Sequence, residues 1–145
     1  MSRFRLDIHI NKTHLFFHWI LFVLISFVQT AVSMYTLRDR PSGDITFNFY
    51  QDVLVGALIV SVFYSLLLLV VLRIQSFGIQ VVIHSLIVIV LWFYEDLLVF
   101  GDREAGWSTY SLKASIVHTL QLSVIPIVIS LLVYLPILYC LRRKV

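Results

Sequence analysis

Charge is absent from four long apolar stretches of this chain. No Asp, Glu, Lys or Arg occurs in residues 13–37, 53–72, 74–94 or 114–141. A bilayer core about 30 Å thick takes roughly 20 predominantly apolar residues per spanning helix, and each stretch reaches that length. The pattern predicts transmembrane helices over about 13–37, 53–72, 76–100 and 114–140. Backbone polar groups find no water in hydrocarbon, so only helices or a closed barrel can span it. Runs this long and continuous differ from the short alternating strands of a barrel. The expected fold is all-α, an up-down bundle of four transmembrane helices forming a single domain over 1–145.

The connections agree with antiparallel neighbours. Residues 38–51 contain Pro41-Ser42-Gly43-Asp44, a dense turn signal. Residues 101–113 carry Gly101 and Gly106 among polar residues, while only Arg73 to Gly78 separates the second and third spans, predicting a tight helical hairpin. Ahead of the first span, Phe4, Leu6, Ile8 and Ile10 alternate with Arg5, Asp7 and His9. A solitary strand would lack a partner, so this segment is expected at the membrane surface. The first apolar run exceeds the h-region of a signal peptide, about 7–15 residues, and is read as a retained helix.

Composition strengthens the membrane reading. Hydrophobic residues make up 60% of the 145 and charged residues 13%, against about 25% charged in soluble domains. The net charge of +3 matters less than its placement. Seven of the eleven Lys and Arg lie at the N-terminus (Arg3, Arg5, Lys12), the second connection (Arg73) and the C-terminus (Arg142, Arg143, Lys144). The other two loops hold Arg38, Arg40, Arg103 and Lys113, together with Asp39, Asp44, Asp52, Asp102 and Glu104. By the positive-inside rule both termini face the cytoplasm, and the expected location is the cytoplasmic membrane of a bacterial or archaeal cell. The single cysteine, Cys140, excludes a disulfide-relay enzyme.

Polar residues within the spans identify the faces turned toward neighbours. At 100° per residue, His14, His18, Phe22, Ser26, Gln29 and Ser33 fall within about 120° of one face of helix one. Phe16, Ile20, Val23, Phe27, Ala31 and Met34 occupy the opposite face. Interhelical hydrogen bonding, about 0.6 kcal/mol per contact, accounts for such a stripe without a ligand path. Ala57, Ser61 and Ser65 on helix two, and Ser115, Thr119 and Ser123 continuing near Ser130 on helix four, are small-residue seams suited to close helix approach. Pro126 and Pro136 are expected to kink helix four.

Helix three is unusual. His84 and Glu95 point the same way and lie roughly 16 Å apart along the axis. Glu95 and Asp96 precede Leu97-Leu98-Val99-Phe100, so adjacent carboxylates stand slightly inside the outer boundary, a default functional-site signal. The alternative, favoured by the aromatic belt of Trp92, Phe93, Tyr94 and Trp107, ends the helix near Tyr94 with the acids at the headgroups. An outer cluster of Glu95, Asp96, His118 and Gln121 would serve proton movement or cation binding. On the inner side, His18 and His84 form the one reasonable pair for a haem, although neither helix offers glycines for the porphyrin. No cofactor is predicted beyond that candidate pair. No Ser-His-Asp pattern, phosphate loop or HExxH occurs, and the lone HxxxH from His14 to His18 lacks a glutamate. Neither a metal site nor an enzymatic activity is expected.

The central hairpin, with Phe63-Tyr64, the Arg73-Ile74-Gln75-Ser76-Phe77-Gly78 connection and a third helix ending before a charged loop, resembles that of the phosphate-starvation-inducible PsiE family of small four-helix bacterial membrane proteins. The likeness covers about a third of the chain. It departs from the acidic residue expected in that family's second helix and the arginine expected late in its third, where this chain has Tyr64-Ser65 and Trp92-Phe93-Tyr94-Glu95. The resemblance implies the four-helix fold and little chemistry.

The leading functional expectation is a non-enzymatic accessory or scaffold subunit, packing against other membrane subunits or a second copy, with lipid and no nucleic acid as its other partner. The alternatives are a small proton- or cation-linked transporter or channel built on Glu95, Asp96 and His118, with Gln29 and the rest of the helix-one stripe lining the path, and a haem- or quinone-binding electron-transfer subunit built on His18 and His84.

Overall fold

The computed structural model describes residues 12–43, 48–107 and 109–143, with the side chains of 12–14, 107 and 139–143 outside that description. The segment 4–10, the side chain of His14 and that of Cys140 therefore lie outside the described residues. Every regular element among the described residues is helical: α1 (Lys12–Ser33), α2 (Phe49–Val71), α3 (Phe77–Arg103) and α4 (Leu112–Arg143), with single 3-10 turns at Tyr35–Leu37 and Ala105–Trp107. All four long helices are long and apolar enough to cross a membrane.

Two boundaries differ from the sequence expectation, each for a local reason. Helix α2 begins at Phe49 rather than 53 because Asn48 and Gln51 form a capping box. The Asn48 side chain accepts from Gln51 N at 3.0 Å, and Gln51 Oε1 accepts from Asn48 N at 3.0 Å. Asp52 thereby enters the first helical turn, where a carboxylate suits the helix dipole. Helix α3 does not end near Tyr94 but runs on to Arg103, since Glu95, Asp96, Val99, Phe100 and Arg103 all turn inward and are buried. The aromatic belt signal misplaced the end because these charges have protein partners rather than headgroups. Helix α4 continues through Pro126 and Pro136, each of which leaves the carbonyl four residues earlier without its intrahelical donor.

Helices α1, α2, α3 and α4 pack in cyclic order, and α1 also meets α3 across the centre. The interior is layered. One apolar cluster, on the side of the α2–α3 hairpin, holds Phe22, Val60, Tyr64, Val88, Trp92, Ile127 and Tyr134. A second, toward the two longer loops, holds Met34, Leu37, Phe49, Val53, Val99 and Phe100. Met34 is thus buried, not outward-facing, because α1 gives way to the 3-10 turn beside it. Between the clusters lies a polar layer: Ser26, Gln29, Thr30, Glu95, Asp96 and Ser123, each at most 1% exposed.

The outer surface is the inverse of a water-soluble bundle. Rows such as Val62, Leu66, Val70 on α2 and Val82, Leu86, Val90 on α3 are more than half exposed, forming contiguous apolar faces far beyond the scattered surface hydrophobes of soluble proteins. The small-residue seams face the other way. Ala57, Ser61, Ser115, Thr119 and Ser123 are buried, so they set helix spacing inside the bundle. Ser61 and Ser65 donate to carbonyls of their own helix, at 2.7 Å and 2.8 Å, and do not link helices through those bonds.

Candidate functional site: a buried carboxylate pair

The α1–α3 diagonal creates the site. Both helices run in the same direction, so successive turns of α1 meet successive turns of α3: Phe22 stacks near Trp92, Ser26 meets Glu95 and Gln29 meets Asp96. Adjacent positions on α3 diverge by about 100°, which sends the two carboxylates to different helix interfaces. Glu95 packs toward α2, where Gly56 has no side chain to displace it. A Cβ at Gly56 would stand 3.4 Å from Glu95 Cγ and 3.5 Å from its Oε1. Asp96 turns toward α4 and Ser123.

The hydrogen bonds are all with neutral groups. Ser26 Oγ donates to Glu95 Oε2. Gln29 Nε2 donates to Asp96 Oδ2 at 2.8 Å and to Ser33 Oγ at 2.8 Å. Thr30, within reach of both carboxylates, donates to Gln29 Oε1 at 3.1 Å. Glu95 Oε1 and Asp96 Oδ1 are buried without a hydrogen-bond partner. No Lys, Arg or His among the described residues is ion-paired with either acid; the nearest candidate along α3, Arg103, is paired with Asp52.

A groove of about 250 Å³ between α2 and α3 is lined by Ser42, Asp52 and Asp102 toward its loop end, by Gly56 and Leu98, and by Glu95, which is itself 0% exposed. Its mouth is built by the first loop. Ser42 Oγ and Gly43 N donate to Asp102 at 2.6 Å and 3.0 Å. A Cβ at Gly43 would lie 2.7 Å from Asp102 Oδ1 and would push that carboxylate aside. Arg103 anchors the same loop, donating to the Arg40 carbonyl at 2.7 Å while pairing with Asp52.

Of the seven residues singled out in the sequence, Glu95, Asp96 and Gln29 come together here. His118 and Gln121 do not: both are exposed on α4, and His118 stacks on Phe100 with ring centroids 6.3 Å apart. The α4 residue that does meet the pair is Ser123, beside Asp96. His84 lies in a separate cluster toward the α2–α3 hairpin. Its Nε2 meets Tyr64 OH at 3.2 Å, and that hydroxyl meets Tyr134 OH at 2.5 Å. His18 is half-buried and within electrostatic reach of His84. Phe22, Tyr64, Trp92 and Tyr134 pack ring against ring at this level, with Phe22 and Tyr64 stacked at 4.0 Å. A haem between His18 and His84 would have to part those rings and the tyrosine hydroxyls on Nε2.

Sequence reasoning missed Thr30, the two tyrosines and the buried Arg103–Asp52 pair. Thr30, next to Gln29 in sequence, lies about 40° outside the identified stripe. Tyr64 and Tyr134 stand mid-span, where a phenol needs a partner, a signal that was present in the sequence. Fold and site together define a small four-helix bundle with apolar outer faces and two acids buried at its centre. Comparison of the chain with models of protein families, with curated proteins and with solved structures gave no match.

Proposed function

We propose that the chain is an integral membrane protein that takes up and passes a small cation, the proton first of all, at Glu95 and Asp96. The observation that carries the proposal is the pair of carboxylates buried at 0% exposure with only neutral hydrogen-bonding partners, one of them forming the floor of an acid-lined groove. An uncompensated charge in a low-dielectric interior is so costly that it needs a proton or a counter-cation. Burying two adjacent acids weakens a bundle, so a purely structural layer would favour serine or glutamine. The apolar outer faces support insertion in a bilayer. The distribution of Lys and Arg supports cytoplasmic termini, which sets the groove mouth on the opposite side. Asp52 is neutralised by Arg103, but Asp102, held by the neutral donors Ser42 and Gly43, would favour cations there.

The accessory-subunit reading has less support. The seams that suggested association with partners are buried inside the bundle, which leaves the exposed His118 and Gln121 of α4 as the polar residues an outside partner could meet.

Reconstituted in liposomes with a trapped pH-sensitive dye, the protein is expected to dissipate an imposed proton gradient faster than protein-free vesicles. Equal rates would reject the proposal. Gly56→Val places a branched side chain against Glu95 and narrows the groove. Its expected effect is a flux reduced by about 10-fold, equivalent to about 1.4 kcal/mol at the barrier, with the helical content unchanged by circular dichroism.

A further inference from the structure

We infer that the chain pairs with a second copy of itself along α4, through the exposed amide of Gln121. Such pairing is independent of the cation chemistry at Glu95 and Asp96 and rests only on the bilayer part of the reading above. The outward rows of α2 and α3, Val62, Leu66, Val70 and Val82, Leu86, Val90, are apolar throughout, and hydrocarbon matches them. Helix α4 differs, because His118 and Gln121 are exposed on it. Gln121 lies about 3 Å in depth from Ser123, which meets Asp96 in the polar layer. That layer has an apolar cluster on either side, so the amide stands at the depth of hydrocarbon rather than of headgroups.

A second polar group adjoins it. Pro126 has no N–H, so the Leu122 carbonyl, next to Gln121, lacks its intrahelical donor. In a membrane, groups freed in this way are met by neighbouring helices. Ile125, Val128 and Leu132 continue the face of Gln121, within about 40° of it, and each is more than half exposed. Their spacing from Gln121, at steps of four, three and four residues, is that of a seam between two helices crossing at about 20°. One polar residue in such a seam sets its register and the number of strands.

The chemistry selects a second copy. A primary amide both donates and accepts, so a two-fold axis along the bundle lets each Gln121 give one N–H to the other's carbonyl. The remaining N–H of each can reach the Leu122 carbonyl of the other copy. No Asp, Glu, Lys or Arg occurs on α4 between Lys113 and Arg142, so nothing on this face requires a partner of opposite charge. A lipid tail offers neither donor nor acceptor.

Disulfide cross-linking of the full chain in lipid vesicles tests the inference, with Cys140→Ser as the background. Ile125→Cys places a thiol in the seam, whereas Leu66→Cys and Leu86→Cys place one on the apolar faces of α2 and α3. On oxidation with copper phenanthroline, a covalent dimer is expected for Ile125→Cys and not for the other two. Adding Gln121→Leu to Ile125→Cys is expected to move half-maximal cross-linking to a protein-to-lipid ratio about 10-fold higher. No dimer with Ile125→Cys, equal yields from all three thiols, or an unchanged ratio with Gln121→Leu overturns the inference. A dimer without proton flux removes the proposed function and leaves the pairing. Flux from a chain that never cross-links at Ile125→Cys does the reverse.

Discussion

Glu95→Gln is expected to bring proton flux down to the rate of protein-free liposomes, a loss of about 100-fold or more, while the bundle remains folded. The substitution is nearly isosteric. The carbonyl of the introduced amide can still accept from Ser26 Oγ, and its NH₂ group occupies the space beside Gly56 at the end of the groove. Only the ability to exchange a proton is removed. The stability of this variant separates the functional account from a structural one. A carboxylate retained for packing would be missed, and its loss would destabilise the bundle. A buried carboxylate without a cationic partner is itself unfavourable, and replacing it with a neutral group is neutral or stabilising. Unfolding of Glu95→Gln in detergent is therefore expected at the wild-type denaturant concentration or above it. Lower stability together with retained flux would assign Glu95 to the scaffold.

Arg103→Met is expected to give the largest loss of stability, about 3 kcal/mol by chemical unfolding in detergent, near the lower end of what breaking a buried ion pair costs. Arg103 is only 3% exposed, and its partner Asp52 is 19% exposed, which places the pair at the edge of the interior. The guanidinium holds three things at once: the Asp52 carboxylate on α2, the Arg40 carbonyl on the first loop and, 5.3 Å away, the ring of Phe49. Methionine fills much of the volume and satisfies neither oxygen. Adding Asp52→Asn to Arg103→Met is expected to restore part of the loss, since it removes the stranded charge. The neighbouring Arg40–Glu104 contact, at 3.5 Å and largely exposed on the arginine side, is a surface pair worth little, so Arg40→Ala should leave stability within about 0.5 kcal/mol.

The contrast between these two arginines also shows where sequence reasoning reaches its limit. Both follow an apolar span and both read as loop charges. Their difference is set by helix phase and by the distant Asn48–Gln51 capping box, which brings Asp52 into the first turn of α2 beneath Arg103. Periodicity alone placed Ser26, Gln29 and Ser33 of α1 on the inward face, because a rotation of about 100° per residue needs no tertiary information. The same arithmetic aligned Glu95 with His84. It could not say whether α3 continues past Tyr94, since an acid at a headgroup and an acid in a buried layer are identical in a one-dimensional pattern. The pattern puts His118 level with Glu95 in depth, whereas it sits beside Phe100 and Tyr110, more than a turn nearer the loops. Its direction around α4 depends on which face the Thr119–Ser123 seam takes, and the seam took the interior.

If Glu95 exchanges a proton with water through the groove, its carboxyl group titrates with the bulk. Infrared difference spectroscopy of the lipid-reconstituted protein, recorded while bulk pH is stepped, reads that exchange at the carboxyl group itself. A carboxylic-acid carbonyl band is expected that appears and disappears with pH, is lost in Glu95→Gln and responds more slowly in Gly56→Val. A band present at every pH, or no titrating band that Glu95→Gln removes, would contradict it.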